Sequence, residues 1–124
     1  MNIFKWPSAL CVGLLLLSCN ASPEKVEDFD DAVWKSDRYG CKKERPSLVN
    51  NLIKQREKIL ALDEMAIVDL LGKPDEHEIY KRNQKFYYYY VQPGPDCPSS
   101  DDNAPQRLVI RFNAVGLAKE IDLE

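Results

Sequence analysis

The spacing of apolar residues changes at Pro74, and this change limits the folds open to the chain. Before Pro74, apolar residues within 46–60 and 63–71 recur at helical spacing, which predicts two amphipathic helices. After it, polar and apolar residues alternate in β-rich runs, which predicts antiparallel strands. Those runs are 78–82, 85–92, 107–112 and 117–123. The predicted fold class is α+β, with two helices packed on one face of a four-stranded antiparallel sheet.

Both predicted helices have local start signals, and the second also has a stop signal. Pro46 suits a first-turn position, where its missing N–H costs nothing. Asp63 can accept from the unpaired N–H groups of a first turn, Gly72 can adopt a left-handed cap, and Pro74 prevents continuation. The side chains that the second helix is expected to bury are Ala66, Ile67, Leu70 and Leu71.

Length, composition and charge exclude several classes of protein. A chain of 124 residues with 44% hydrophobic and 30% charged residues is expected to form one globular domain, too small for a multi-domain enzyme or a solenoid. A formal net charge of -3 argues against a nucleic-acid partner, since phosphate binding needs an excess of Lys and Arg on one face.

The N-terminus has the pattern of a secretion signal. Lys5 precedes the apolar run Ala9–Leu17, which is too short to cross a bilayer as a helix. The run ends in Leu16-Leu17-Ser18-Cys19, which resembles a bacterial lipobox, so residues 1–18 are predicted to be a lipoprotein signal peptide. Cys19 is then the lipidation site, with acyl chains such as palmitate anchoring the protein to a membrane. The alternatives are an ordinary secretory signal with an incidental Cys19, or an uncleaved weak anchor.

The residues after Cys19 carry the sorting and spacing information. Asn20 stands where Asp commonly retains lipoproteins in the inner membrane, so the resemblance to known sorting rules favours the outer membrane. Residues 19–31 include five acids and one Lys, and are predicted to be a disordered acidic tether before a domain at 32–124. The alternative is a surface-export signal, so both the periplasmic face and the cell surface remain open.

Cysteine usage predicts one disulfide. Cys11 leaves with the signal and Cys19 is acylated, so Cys41 and Cys97 are the remaining thiols in an exported chain and are expected to pair. One alternative is a redox-active pair, but the sequence has no CxxC motif. The other is a metal site, but His77 is the only histidine that could join the two cysteines as a ligand.

Catalytic motifs are missing from the sequence. It has no Gly-rich phosphate loop, HExxH or GxSxG, so we expect no enzyme activity, no metal and no cofactor. Asp75 and Glu76 could act as an acid–base pair, but solvated residues leading into an edge strand are the simpler interpretation. Acids in the loop 92–106 lack the EF-hand spacing that calcium binding favours.

The run Phe86–Tyr90 is the most informative cluster of side chains. On a strand, Tyr87 and Tyr89 lie on one face and the other rings on the opposite face, so whichever face packs on the helices, the other displays Tyr. Exposed Tyr is typical of binding surfaces. Tyr87, Tyr89 and Arg111 are therefore the candidate partner-binding residues. The alternative is cross-strand packing with only the phenol tips in water.

The segment 62–75, LDEMAIVDLLGKPD, resembles the SmpA/OmlA family of outer-membrane lipoproteins, which includes the BamE subunit of the β-barrel assembly machinery. The family pattern is an apolar residue, a capping Ser or Thr, an apolar helix, and Leu-Gly-x-Pro. Asp63 replaces the capping residue, and Ala61 replaces the usual Gly. The resemblance implies the fold of β-lactamase-inhibitor-protein domains over residues 46–124. It assigns no binding residue of the family to a position in this chain.

Together these features predict a lipid-anchored envelope lipoprotein that acts as a non-enzymatic protein-binding or scaffold module. Its expected partners are the membrane, through the N-terminal anchor, and an envelope protein. The alternatives are an inhibitor-like domain that docks on an extracellular enzyme, and a small carbohydrate-binding, peptide-binding or hydrolytic module that uses the loop 92–106.

Overall fold

The computed structural model describes residues 24–100 and 104–124, and within them the chain is an α+β fold of three α-helices and a four-stranded antiparallel sheet. The helices are α1 (Asp31–Ser36), α2 (Pro46–Lys54) and α3 (Glu64–Leu71). The strands are β1 (Glu76–Tyr80), β2 (Gln84–Tyr90), β3 (Arg107–Phe112) and β4 (Ala118–Leu123). They lie in the order β1-β2-β3-β4, so every neighbouring pair is consecutive in sequence.

Helix α3 begins and ends where the local signals place it. The side chain of Asp63 accepts from the backbone N–H of Ala66 at 2.8 Å. At the other end Gly72 has φ 80, and its N–H donates to the carbonyl of Val68. Asp63 therefore stabilises the first turn as a capping residue does, and the predicted helix is confirmed.

Helix α2 is shorter than predicted, and α1 was not predicted. Gln55 leaves the helical region at φ -111 and ψ 29, so α2 ends at Lys54 and a 3-10 turn follows. Helix α1 has only six residues, too few to show a period in the sequence. Its start is marked by Asp30, whose side chain accepts from the N–H of Val33.

The strand register assigns the sheet residues to two faces. Tyr87 pairs with Ile110 and Tyr89 with Leu108, so these side chains share one face. That face belongs to a single hydrophobic cluster, to which the helices also contribute. Its buried members include Trp34, Leu52, Ile67, Leu71, Tyr89, Leu108, Ile110 and Phe112.

The folded part of the chain begins earlier than residue 32. Val26 and Phe29 are 3% and 8% exposed and belong to the same core cluster. Gln55 exchanges two hydrogen bonds of 2.8 Å with the backbone of Glu27. The prediction of a solvated tether is therefore wrong for residues 24–31, because two apolar side chains among the acids were enough to attach the segment to the core.

Three of the predictions concern residues outside the described ranges. They are the signal peptide at 1–18, the lipidation site Cys19, and the first residues of the tether. Among the helices that the structure describes, none is long and apolar enough to cross a membrane.

Candidate partner-binding surface

The predicted disulfide between Cys41 and Cys97 is present. Their Cα atoms are 5.3 Å apart, and the residues are separated by 56 positions in the sequence. The bond joins the segment before α2 to the long loop after β2. Nearby, the N–H of Gly94 donates to the carbonyl of Tyr39 at 2.9 Å. The covalent bond therefore fixes a loop that carries little regular structure.

A buried ion pair lies beside the disulfide. Arg45 and Asp75 have side chains with no exposed surface, and Arg45 Nη1 lies 2.6 Å from Asp75 Oδ2. The guanidinium also donates to the carbonyls of Trp34 and Tyr90, and its carbon lies 4.8 Å from the centre of the Trp34 ring. Asp75 in turn accepts from the N–H groups of Tyr90 and Tyr39. The pair thus joins α1, the start of α2, and β2.

Asp75 is therefore a structural residue. The sequence interpretation of Asp75 as solvated is wrong, since its carboxylate is enclosed by donors from three chain segments. Glu76, the other half of the suggested acid–base pair, is exposed and instead accepts from the hydroxyl of Tyr90 at 2.7 Å. Each of the two carboxylates therefore has its own donors.

The three predicted partner-binding residues do not form one surface. Tyr89 is fully buried, and its hydroxyl donates to the carbonyl of Gly72. Tyr87 lies on the same face of the sheet and packs against the core. Arg111 lies on the opposite face, where it pairs with Glu120 at 2.9 Å. The expectation of one shared face is wrong, because alternation says neither how β2 and β3 align nor which set of rings meets the core. Tyr87 is half-buried, and its part in partner binding stays a prediction.

The opposite face of the sheet is covered by its own side chains. The guanidinium carbon of Arg107 lies 4.2 Å from the ring centre of Tyr88. The hydroxyl of Tyr88 donates to Glu78, and Arg107 forms ion pairs with Glu76 and Glu124. Burial and the hydrogen bond to Glu76 raise the pKa of Tyr90 to about 12. The hydroxyls of Tyr88 and Tyr90 therefore have partners on the neighbouring strand, as expected for cross-strand packing.

Helix α3 carries two exposed large apolar side chains. Met65 is 78% exposed and Val68 is 36% exposed, and both lie on this helix. Six of its eight residues are apolar, whereas only Ile67 and Leu71 are fully buried. This exposed apolar surface could have been predicted from the sequence, because α3 has more apolar residues than a helix with a single buried face needs. Ala66 and Leu70, which were expected to be buried, are half-buried.

A cleft lies between α3 and residues 24–31, and we refer to it as the strap cleft. It has a volume of about 310 Å³. Its apolar walls are formed by Val26, Phe29, Leu62, Ala66 and Leu70. An apolar cleft of this kind suits a partner's apolar side chain, which would lose its contact with water on entering.

Acidic side chains also line the strap cleft. Glu24, Asp31 and Asp69 contribute carboxylates and Lys25 contributes one amine. Asp31 pairs with Lys35 at 3.4 Å. Within residues 24–100 and 104–124, Glu24 and Asp69 form no ion pair. The cleft is therefore apolar in its walls and acidic in its charge.

A second cleft of about 240 Å³ lies on the other side of α3, lined by Met65, Val68, Tyr87 and two acids. One acid is Glu64, which accepts from Lys85 Nζ at 3.1 Å and from the hydroxyl of Tyr87 at 2.9 Å. Burial and this hydrogen bond raise the pKa of Tyr87 to about 12. The other acid, Asp69, lines both clefts, so they form one continuous area around the exposed side of α3. We call this area the α3 surface.

The α3 surface offers contact area and charge. Among the residues that the structure describes, no group of three His, Cys, Asp or Glu side chains is placed to hold a metal ion. His77 is exposed on β1. Apolar walls with unpaired carboxylates are suited to binding another molecule.

The sequence matches no protein-family model, and no curated protein is significantly similar to it.

Proposed function

We propose that the chain is a non-enzymatic protein-binding module of the bacterial envelope, anchored to the outer membrane through lipid on Cys19. The observation that carries the binding function is the α3 surface. Met65 and Val68 stand exposed between two clefts. Ile79, Tyr80 and Val115 are also exposed, but none of them lines either cleft. Exposed apolar surface of this kind, bordered by polar groups, is typical of protein interaction sites.

The proposed location depends on the sequence motif and agrees with the disulfide. Leu16-Leu17-Ser18-Cys19 resembles a lipobox, and Asn20 favours sorting to the outer membrane. A bond between Cys41 and Cys97 persists in an oxidising compartment such as the periplasm or the cell surface. Two or three acyl chains would hold the domain on the bilayer almost permanently.

We further propose that α2 and α3 cover one face of the sheet, as in the SmpA/OmlA family that residues 62–75 resemble. The shared core supports this arrangement, because Leu52 and Ile67 belong to the same buried cluster as Ile110. The capping of α3 by Asp63 supports the use of an acid in place of the family's Ser or Thr.

The anchor is tested by replacing its attachment site. Metabolic labelling with radioactive palmitate is expected to label the wild-type chain and not Cys19→Ser. The wild-type chain is expected to fractionate with the outer membrane. An unlabelled, soluble wild-type chain would contradict the location but not the binding function.

The binding function is tested with a pair of variants matched for exposure. Met65→Glu places a charge on the α3 surface, and Val115→Glu places the same charge on the β3–β4 turn, where the native residue is 77% exposed. After chemical crosslinking in intact cells, Met65→Glu is expected to lose the partner band that wild type and Val115→Glu retain. Equal loss in both variants, or in neither, would contradict the α3 surface as the binding site.

A further inference from the structure

We propose that the α3 surface binds a basic, apolar segment of a membrane protein, and that this segment lies next to the bilayer surface. This inference rests on the proposed function and specifies the chemistry and the position of the partner.

Charge indicates a cationic partner. The strap cleft has three carboxylates against the single amine of Lys25, and one of the three, Asp31, has Lys35 as a neighbour. Asp69 stands between the two clefts with no ion pair in the described part of the chain, so a partner cation at this position would contact both. A complementary Lys or Arg would steer the partner onto the surface and fix its register.

Apolar area indicates that the partner also carries large hydrophobic side chains. Phe29, Leu62 and Leu70 form walls around a volume of about 310 Å³. Met65 and Val68 extend this apolar area across the helix to the second cleft. A segment that alternates cations with large apolar residues would fill both clefts and neutralise Asp69 together.

The covalent path to the anchor sets the position of the partner. Lys25 is fixed to the domain, since its carbonyl accepts from Lys58 Nζ at 3.1 Å and the next residue, Val26, is buried. Lys25 lies six positions after Cys19 in the sequence. A chain of that length reaches at most about 20 Å. Glu24 and Lys25 line the strap cleft themselves, so an anchored domain keeps this cleft close to the bilayer.

Other occupants fit less well. A second copy would bring the same acids of the α3 surface face to face, which is unfavourable. Anionic lipid headgroups would meet the same repulsion from the carboxylates. The chain's own residues 20–23, Asn-Ala-Ser-Pro, supply neither a cation nor a large apolar side chain.

The test uses the full lipidated chain in intact cells, with a photo-crosslinking amino acid at Met65. A control chain carries it at Asp122, which is exposed on β4 beside the buried Ile121 and points away from the core. We expect an adduct from position 65 and not from position 122. The crosslinked peptide, identified by mass spectrometry, should contain Lys or Arg with large apolar residues, within about 20 Å of a membrane-embedded segment or lipid anchor.

Charge variants test whether the bound partner is cationic. Asp69→Lys is expected to lower the yield of the adduct about tenfold, and Asp69→Asn to lower it less, because reversal adds repulsion to the loss of attraction. Asp122→Lys is the matched control and should leave the yield unchanged. The thermal midpoint of each variant verifies that the domain is folded.

Each other outcome overturns the inference in a distinct way. An adduct with a soluble protein, or one insensitive to Asp69→Lys, overturns the stated partner but leaves the binding function intact. An adduct with lipid, with a second copy or within the chain itself also overturns it. No adduct from position 65, together with no partner band in wild type, overturns the proposed function as well.

Discussion

Replacing Asp75 by asparagine is expected to lower the free energy of unfolding by about 3–5 kcal/mol, because it leaves the buried charge of Arg45 without its counter-ion. Asparagine has nearly the same shape as aspartate, so the change removes charge without creating a cavity. Breaking a buried pair in this way costs more than the pair itself contributes to stability, since the remaining charge keeps its desolvation penalty.

The contacts of Asp75 account for this magnitude. Its carboxylate accepts from Arg45 at 2.6 Å, from the N–H of Tyr90 at 2.8 Å and from the N–H of Tyr39 at 3.2 Å. Asparagine turns one of its two acceptor oxygens into an NH₂ donor, which then faces donors. One unsatisfied buried group costs about 1–3 kcal/mol, and the uncompensated guanidinium adds to that. The sum is a large share of the 5–15 kcal/mol that is typical of a whole domain.

Urea unfolding of the oxidised mature chain, followed by far-ultraviolet circular dichroism, measures this loss. The urea concentration at the midpoint should fall, and the slope of the free energy of unfolding against urea concentration should not change. Asp31→Asn is the control, because it removes an exposed ion pair with Lys35 and should cost less than about 1 kcal/mol. The double variant Arg45→Met with Asp75→Asn should lose less than the sum of the single variants, by about 2 kcal/mol.

Two results would refute the reasoning about this pair. One is a loss below about 1 kcal/mol for Asp75→Asn, which is the range of an exposed ion pair. The other is strict additivity in the double variant, which would mean that Arg45 and Asp75 are not energetically coupled.

Three further predictions concern the disulfide, a tyrosine and a glycine. Replacing Cys41 and Cys97 by alanine should lower the free energy of unfolding by about 4 kcal/mol by the chain-entropy relation, and equal denaturant midpoints with and without the bond would contradict this. Tyr87, with a pKa raised from 10.0 to about 12, should contribute stability that is complete below pH 10 and is lost as the pH rises to 12. In Glu64→Gln, the tyrosinate absorbance of Tyr87 should appear at lower pH. Gly40→Ala should destabilise the domain by about 1–3 kcal/mol in the same unfolding assay, since its φ is 68 and an added Cβ would lie 2.7 Å from a backbone oxygen.

The sequence by itself determined the elements whose causes are local. Asp63, Gly72 and Pro74 bounded α3 because capping and helix breaking act within a few residues. Alternation identified the four strands, which pair in sequence order even though a long loop separates β2 from β3. The pairing of Cys41 with Cys97 followed from counting the thiols that remain in an exported chain.

Tertiary structure alone decided which side of each element meets the core. Alternation could not say whether Tyr87 and Tyr89 or the neighbouring rings would pack against the core cluster, because both sets are aromatic and only the packed core distinguishes the two faces. Asp75 looked solvated, since its partner Arg45 is thirty residues away in sequence. Val26 was assigned to a tether for the same reason: its apolar contacts come from distant segments, and no local pattern records them.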